Sequence, residues 1–301
     1  MKYGGVMGQS KFDILQSIDP AYRPKSILVK GKTAPNQVMA AFRKNGFEYP
    51  IVVKPDIGER GIKVEKIESD AELIRYHNDF SEDFIIQEFI PYEHEVGVLY
   101  YRYPGEKSGH ISSVVIKGFL YLTGDGKHTF EQLLEKMPRA YSKLNYFREK
   151  FAGDLKRVLH KDEKVLLEPI GNHNRGTTFL NGNHLINEKL VHVFDKISES
   201  ISGFYYGRFD IRVKSIEDLY EGKDIVILEL NGVSSEPAHL YDPSYKLLRA
   251  YYDIACHMKI IYRIARENYR KGYKRASVVT FLKDLRRHFS LNRKRKKMAG
   301  R

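Results

Sequence analysis

The sequence predicts an α+β protein whose strands pair mainly antiparallel. Three observations carry that prediction. Short apolar runs rich in Ile and Val, bounded by Gly, Pro or charge, recur along the chain and read as strands. Helical stripes stand between them, most clearly over 187–202, where Leu190, Val191, Phe194, Ile197 and Ile201 share a side. Residues 206–231 read as two strands joined by a polar linker, 214–224, that carries Gly222, the pattern of a hairpin.

At 301 residues the chain can bury a sizeable core in one or two domains. It has no apolar run long enough for a membrane-spanning helix. Residues 1–10 lack the apolar centre of a secretory signal. The single cysteine, Cys256, excludes an internal disulfide framework and fits a reducing compartment, so a cytoplasmic location is expected. The net charge of +13 is concentrated at one end: 266–301 hold 14 Lys/Arg against 2 Asp/Glu, and the rest of the chain is nearly neutral.

In chain order, residues 1–25 carry Gly4, Gly5, Gly8, Pro20 and Pro24 with weak periodicity. They read as an arm with one short helix over 11–17. Residues 26–30 form a short strand. A helix then opens at Pro35, with Val38, Met39 and Phe42 on its apolar side, and ends at Asn45 and Gly46. Strand 49–54 leads into a loop bearing Gly58 and Gly61, followed by strand 62–67. Glycines let a backbone approach phosphate oxygens, although the same spacing also serves an ordinary hairpin turn. This is not a Walker loop, because Gly-Lys-Ser/Thr is absent.

Ser69 and Glu72 form a capping box for a helix to about residue 78. Strands follow at 84–90, 96–103 and 111–119. A Gly124-Asp125-Gly126 turn precedes a second capping box, Thr129 with Gln132. Residues 134–164, rich in charge and aromatics, read as a helical insertion. Strand 165–168 runs into a polar loop with His173 and Arg175. Residues 244–268 predict a long helix and 276–289 a short amphipathic one, with a bare basic run at 293–297.

The hairpin 206–231 holds the most telling chemistry. Alternation puts Arg208, Asp210 and Arg212 on one face, and Glu229 and Asn231 together on the partner strand. A surface hairpin with solvated charges would show the same residues. The surrounding strands are strongly apolar, however, so these faces should be half buried, and buried carboxylates need partners. Two carboxylates and an amide oxygen are hard ligands of the kind that magnesium takes beside phosphates.

This constellation resembles the ATP-grasp superfamily of the carboxylate–amine ligase type, such as D-alanine–D-alanine ligase and the ATP-grasp part of cyanophycin synthetase. The resemblance covers roughly residues 26–267. It implies ATP and Mg2+ as cofactors, with Mn2+ able to substitute. It makes Asp210, Glu229 and Asn231 the metal ligands and sets Arg208 against the transferred phosphate. Lys54 would hold the nucleotide phosphates under a loop of Gly58, Arg60 and Gly61. The backbone of Glu88, Phe89 and Ile90 would meet adenine, and Glu95 the ribose. The stretch from Gly124 to Thr129 is similar to cyanophycin synthetases and bifunctional glutathione synthetases. Arg175 becomes a candidate catalytic arginine for an anionic oxygen.

The implied fold has two subdomains, 26–90 and 91–268, each a mostly antiparallel sheet backed by helices, with ATP between them. The implied reaction joins a small-molecule carboxylate to an amine through an acyl phosphate. The sequence departs from the family in three places. Glu59 and Arg60 stand where D-alanine ligases have serines. Ser234, Ser235 and Glu236 replace a Ser/Thr-Pro-Gly loop, and the arm 1–25 replaces a whole domain.

Two other readings stay open: a phosphotransferase on the same ATP site, and a nucleotide-binding protein recruited to membrane by its tail. The tail 269–301 fits either a solvated extension or an anionic surface on the inner face of a membrane. Nucleic acid fits it less well, because no aromatic stacking module accompanies the charge. The sequence does not set an oligomeric state.

Overall fold

The computed structural model describes residues 2–6, 8–58, 61–168, 171, 176–274 and 276–299. Its elements run, in order, α1 (Lys11–Gln16), β1 (Ser26–Val29), α2 (Pro35–Lys44), β2 (Ile51–Pro55), β3 (Glu65–Ile67), α3 (Asp70–Asp79) and β4 (Phe84–Glu88). Then come β5 (His94–Tyr101), β6 (His110–Gly118), β7 (Leu120–Thr123), α4 (Phe130–Glu135), α5 (Leu144–Lys150), β8 (Lys164–Glu168) and β9 (Thr178–Asn181). The chain continues through α6 (Glu188–Glu199), β10 (Tyr206–Val213), α7 (Ile216–Glu221), β11 (Ile225–Asn231), α8 (Leu247–Arg270) and α9 (Val278–Ala299). The molecule divides into two compact units, Met1–Ile116 with Asn181–Arg301, and Lys117–Leu180.

The first unit contains an α+β arrangement. A four-stranded sheet runs β1-β4-β2-β3, with every described pairing antiparallel. Val38 and Phe42 of α2 and Leu73 and Tyr76 of α3 pack with Ile51, Val53 and Ile86 of this sheet in one apolar core. Both helices have physical starts: Pro35 fills the first turn of α2, and the Ser69 hydroxyl accepts from the Glu72 amide at the head of α3. A second sheet has the order β11-β10-β5-β6. Leu190, Phe194 and Ile197 of α6 join its core with Val96, Phe209, Ile211 and Ile227.

The second unit has its own core of Leu122, Phe130, Leu134, Phe147 and Leu167 beneath the two-stranded β7-β8 sheet. Thr129 and Gln132 cap α4 reciprocally, as the sequence predicts. The expected helical insertion is sparser than its composition suggests, with only α4 and α5 as α-helices among its described residues.

Three more expectations are corrected. The polar linker 214–224 is not a plain hairpin loop, because α7 forms within it. The Ser215 hydroxyl accepts from the Asp218 amide, and Gly222 ends the helix in the left-handed region at φ +70°. The strand expected over 62–67 begins only at Glu65, because Lys63 adopts a positive φ of 56°. The tail helix does not stop at 289, since α9 continues through the basic run. The arm, for its part, is docked, with Leu15 and Ile18 buried in the core of the second sheet.

Candidate active site

Every described member of the candidate site lies in the first unit. β10 and β11 pair antiparallel with Arg208 opposite Asn231 and Asp210 opposite Glu229. The register shifts just beyond, between Asp210 and Ile211. Such an irregularity re-aims side chains where strands carry function. The period-2 expectation therefore holds at the residues that matter. The two carboxylates sit across from each other, one strand apart.

Each carboxylate has partners. Arg208 donates to Asp210 twice, Nε to Oδ1 at 3.1 Å and an Nη to Oδ2 at 3.2 Å. The Asn231 amide nitrogen donates to Asp210 Oδ2 at 3.1 Å. Asp210 is only 5% exposed. The Lys11 ammonium, reaching in from α1, pairs with Glu229 Oε1. Burial pushes Glu229 up, but Lys11 and Lys54 outweigh burial and the repulsion of Asp210, so its pKa ends below the ordinary value. Burial opposes the charge on Arg208, yet Asp210 and Glu229 more than offset it and raise its pKa.

Lys54 on β2 is 8% exposed and donates to the Leu228 carbonyl at 2.9 Å. That bond fastens it beside the bulged part of β11. Burial pulls its pKa down to about 8, with Lys11 acting in the same direction and Glu229 opposing. Arg208, Lys11 and Lys54 thus surround Asp210 and Glu229, giving three cations against two carboxylates. Such a cluster attracts a polyanion.

Lys11 and two further site residues have no role in the sequence reading. Asp56 sets the arm's position: its carboxylate accepts from the Ser10 hydroxyl at 2.8 Å and the Phe12 amide at 2.9 Å. Nothing in the arm's composition signals the Lys11 contact, which spans 218 positions of sequence. Gly97 on β5 lies opposite Asp210. A β-carbon there would stand 2.7 Å from Val115 Cγ1 and 3.0 Å from Asp210 Oδ1. A glycine between Val96 and Val98 in an apolar strand was the available signal.

The hinge residues run from the end of β4 into β5, and Arg212 of β10 meets them. Glu88 accepts from the Lys25 amide at 2.6 Å, and its own amide donates back to the Lys25 carbonyl at 3.0 Å. Glu95 is 4% exposed and accepts from Arg212 Nε at 3.1 Å. Arg212 also donates to the Ile90 carbonyl and lies 5.4 Å from the Phe89 ring centre. It therefore fastens Phe89, Ile90 and Glu95 to one strand. Gly58 and Gly61 are described, Gly61 at φ +71°. Arg60, Arg175, Glu59 and His173 lie outside the described residues.

The donor set suits a hard divalent cation. Asp210 and Glu229 face each other across the register, and the Asn231 amide nitrogen is turned to Asp210, which leaves the amide oxygen to another partner.

No protein-family model matches the chain, and no curated protein matches it. Several solved structures are similar to it. The VanG D-Ala:D-Ser ligase from Enterococcus faecalis aligns over 84% of this chain and 61% of its own, at 15% identity and a TM-score of 0.47. The D-alanine–D-alanine ligase from Bacillus anthracis aligns over 87% and 67%, at 15% identity and a TM-score of 0.45. A bifunctional glutathione synthetase from Pasteurella multocida aligns over 86% and 38%, at 12% identity and a TM-score of 0.38. The chain thus spans less than two thirds of the first and third of these proteins. At such scores the functional reading has to stand on this chain's own residues.

Proposed function

We propose that the chain is an ATP-dependent carboxylate–amine ligase of the ATP-grasp type, working through an acyl phosphate. The observation that carries the reading is the register of β10 and β11, with Asp210 opposite Glu229 and three cations gathered round them. Asp210, Glu229 and Asn231 would hold magnesium. When bound there, the metal supplies charge neutralisation for phosphate oxygens.

The chain's own residues do the rest by position and charge. Lys54 holds the nucleotide phosphates. Arg208, anchored on Asp210, faces the phosphoryl group as it moves to the substrate carboxylate, and ADP leaves. The amine nitrogen then attacks the acyl carbon, the amide bond forms, and phosphate departs. Lys11 releases Glu229 as the site fills and becomes a further cation for the phosphates. Glu88, Phe89 and Ile90 offer backbone to adenine, and Glu95 meets the ribose; Arg212 steadies Phe89, Ile90 and Glu95. Gly58, Arg60 and Gly61 cover the phosphates, and Arg175 meets an anionic oxygen of the reactants. The loop of Ser234, Ser235 and Glu236 borders the acceptor, since Glu236 offers its carbonyl to Arg208 at 3.3 Å.

The test is phosphate release from ATP and magnesium across pools of amino acids, dipeptides and amino sugars. The reading expects release that requires a carboxylate and an amine together. ADP formation that needs a hydroxyl acceptor, needs no amine and releases no free phosphate would make the protein a phosphotransferase instead.

A further inference from the structure

The outer face of α8 carries apolar side chains that nothing among the described residues covers. Leu248, Tyr251, Met258 and Tyr262 are each more than half exposed. Their spacings of three, seven and four residues return to one side of the helix, so they form a stripe along it. Its opposite face is anchored, with His257 and Ile264 buried and His257 bonded to the Ser112 hydroxyl at 2.9 Å. The stripe is therefore the free side of a fixed helix.

A basic strip runs beside the apolar one. Lys259, Arg266 and Arg270 are exposed on the same outer face. The two acidic residues of α8 do not offset them. Asp253 is held at 3.4 Å from His239 Nε2, and Glu267 is paired with Arg263 at 2.8 Å. The next helix repeats the chemistry. Val278, Val279, Leu282 and Phe289 of α9 are exposed, and its sequence ends in the basic run from Arg293 to Lys297. No helix among the described residues is long and apolar enough to cross a membrane.

We propose that this face docks onto an anionic phospholipid bilayer surface. The occupant follows from charge and side-chain type. A second copy would set two basic strips against each other in a chain of net charge +13. An anionic bilayer complements the strip instead, while tyrosines sit at headgroup depth and leucine and methionine reach the acyl boundary. Long lysine and arginine side chains extend to the phosphates from a helix lying in the surface. The proposal does not depend on the nucleotide site.

The experiment is flotation of the full chain with vesicles of phosphatidylcholine alone and of phosphatidylcholine with phosphatidylglycerol. Wild type is compared with Tyr251→Ser/Met258→Ser/Tyr262→Ser and with Arg266→Glu/Arg270→Glu. All five positions are exposed, and unchanged thermal melts verify that the variants fold. The expected result is flotation with the anionic vesicles only, weakened by salt and reduced at least about tenfold in both variants. No flotation with anionic vesicles would overturn the proposal. So would flotation that the serine variant leaves intact, since charge in the tail would then suffice. A wild-type dimer that the serine variant dissolves, without vesicle binding, would assign the face to a second copy.

Discussion

Two arginines on one face of β10 each pair with a carboxylate, and the pairs have different surroundings. Arg208 and Asp210 stand opposite a second carboxylate, Glu229, with Lys11 and Lys54 close by, and the Arg208 side chain keeps 19% of its surface open. Arg212 and Glu95, two residues further on, are a matched pair with side chains 8% and 5% open. Arg212 also holds the Ile90 carbonyl and the Phe89 ring. The first pair belongs to a crowded, charge-rich cluster that is ready to trade partners. The second is a clamp. Residue type alone does not tell them apart; the charge across the strand and the access to solvent do.

The comparison is tested most strongly at the clamp. Arg212→Met leaves Glu95 buried without its cation and should cost about 3–5 kcal/mol of stability. Adding Glu95→Leu should recover much of that loss, as denaturant unfolding would show. A single variant as stable as wild type would remove the distinction between the pairs. At the site the loss should be one of chemistry. Asp210→Asn or Glu229→Gln should lower ATP turnover by at least about 100-fold while thermal unfolding stays close to wild type. Full turnover in both variants would dismiss these residues as metal ligands.

Gly97→Ala tests the space that Asp210 needs. The added methyl meets Val115 and Asp210, so a stability loss of about 1–3 kcal/mol is expected, together with weakened turnover. The smallest effect concerns pH. The unfolded chain keeps the Lys54 proton up to about 10.5, and the folded one only to about 8. Between those values the unfolded state binds more protons, so this group's contribution to stability rises with pH. The cation proposed to meet phosphate fades over the same window. ATP affinity should therefore fall by a few-fold as pH climbs through about 8, and Lys54→Arg, charged throughout, should flatten that profile. A steep fall that persists in the arginine variant would place the titrating group elsewhere.

Much of this molecule was legible in its sequence, for identifiable reasons. Period-2 alternation placed Arg208 and Asp210 on one face, and the matching hairpin strand placed Glu229 and Asn231 beside them. Apolar stripes with caps announced α2, α3, α4 and α6. The linker helix α7 was hidden by a polar composition and by Gly222, although Ser215 and the acidic first turn were its start signal. Lys11 could not be read at all, because its contact with Glu229 exists only once the arm has docked. Glu95 was named only through the family resemblance, and its burial against Arg212 depends on strand pairing between β5 and β10.

Residues from Lys54 to Asn231 are proposed to form one magnesium–ATP site. Equilibrium titration of ATP with magnesium into wild type, Lys54→Ala and Asp210→Asn tests it most directly. Saturable binding to wild type is expected, weakened at least about tenfold in each variant and dependent on magnesium in wild type. Absence of ATP binding to folded wild-type protein, or binding that neither substitution changes, would contradict it.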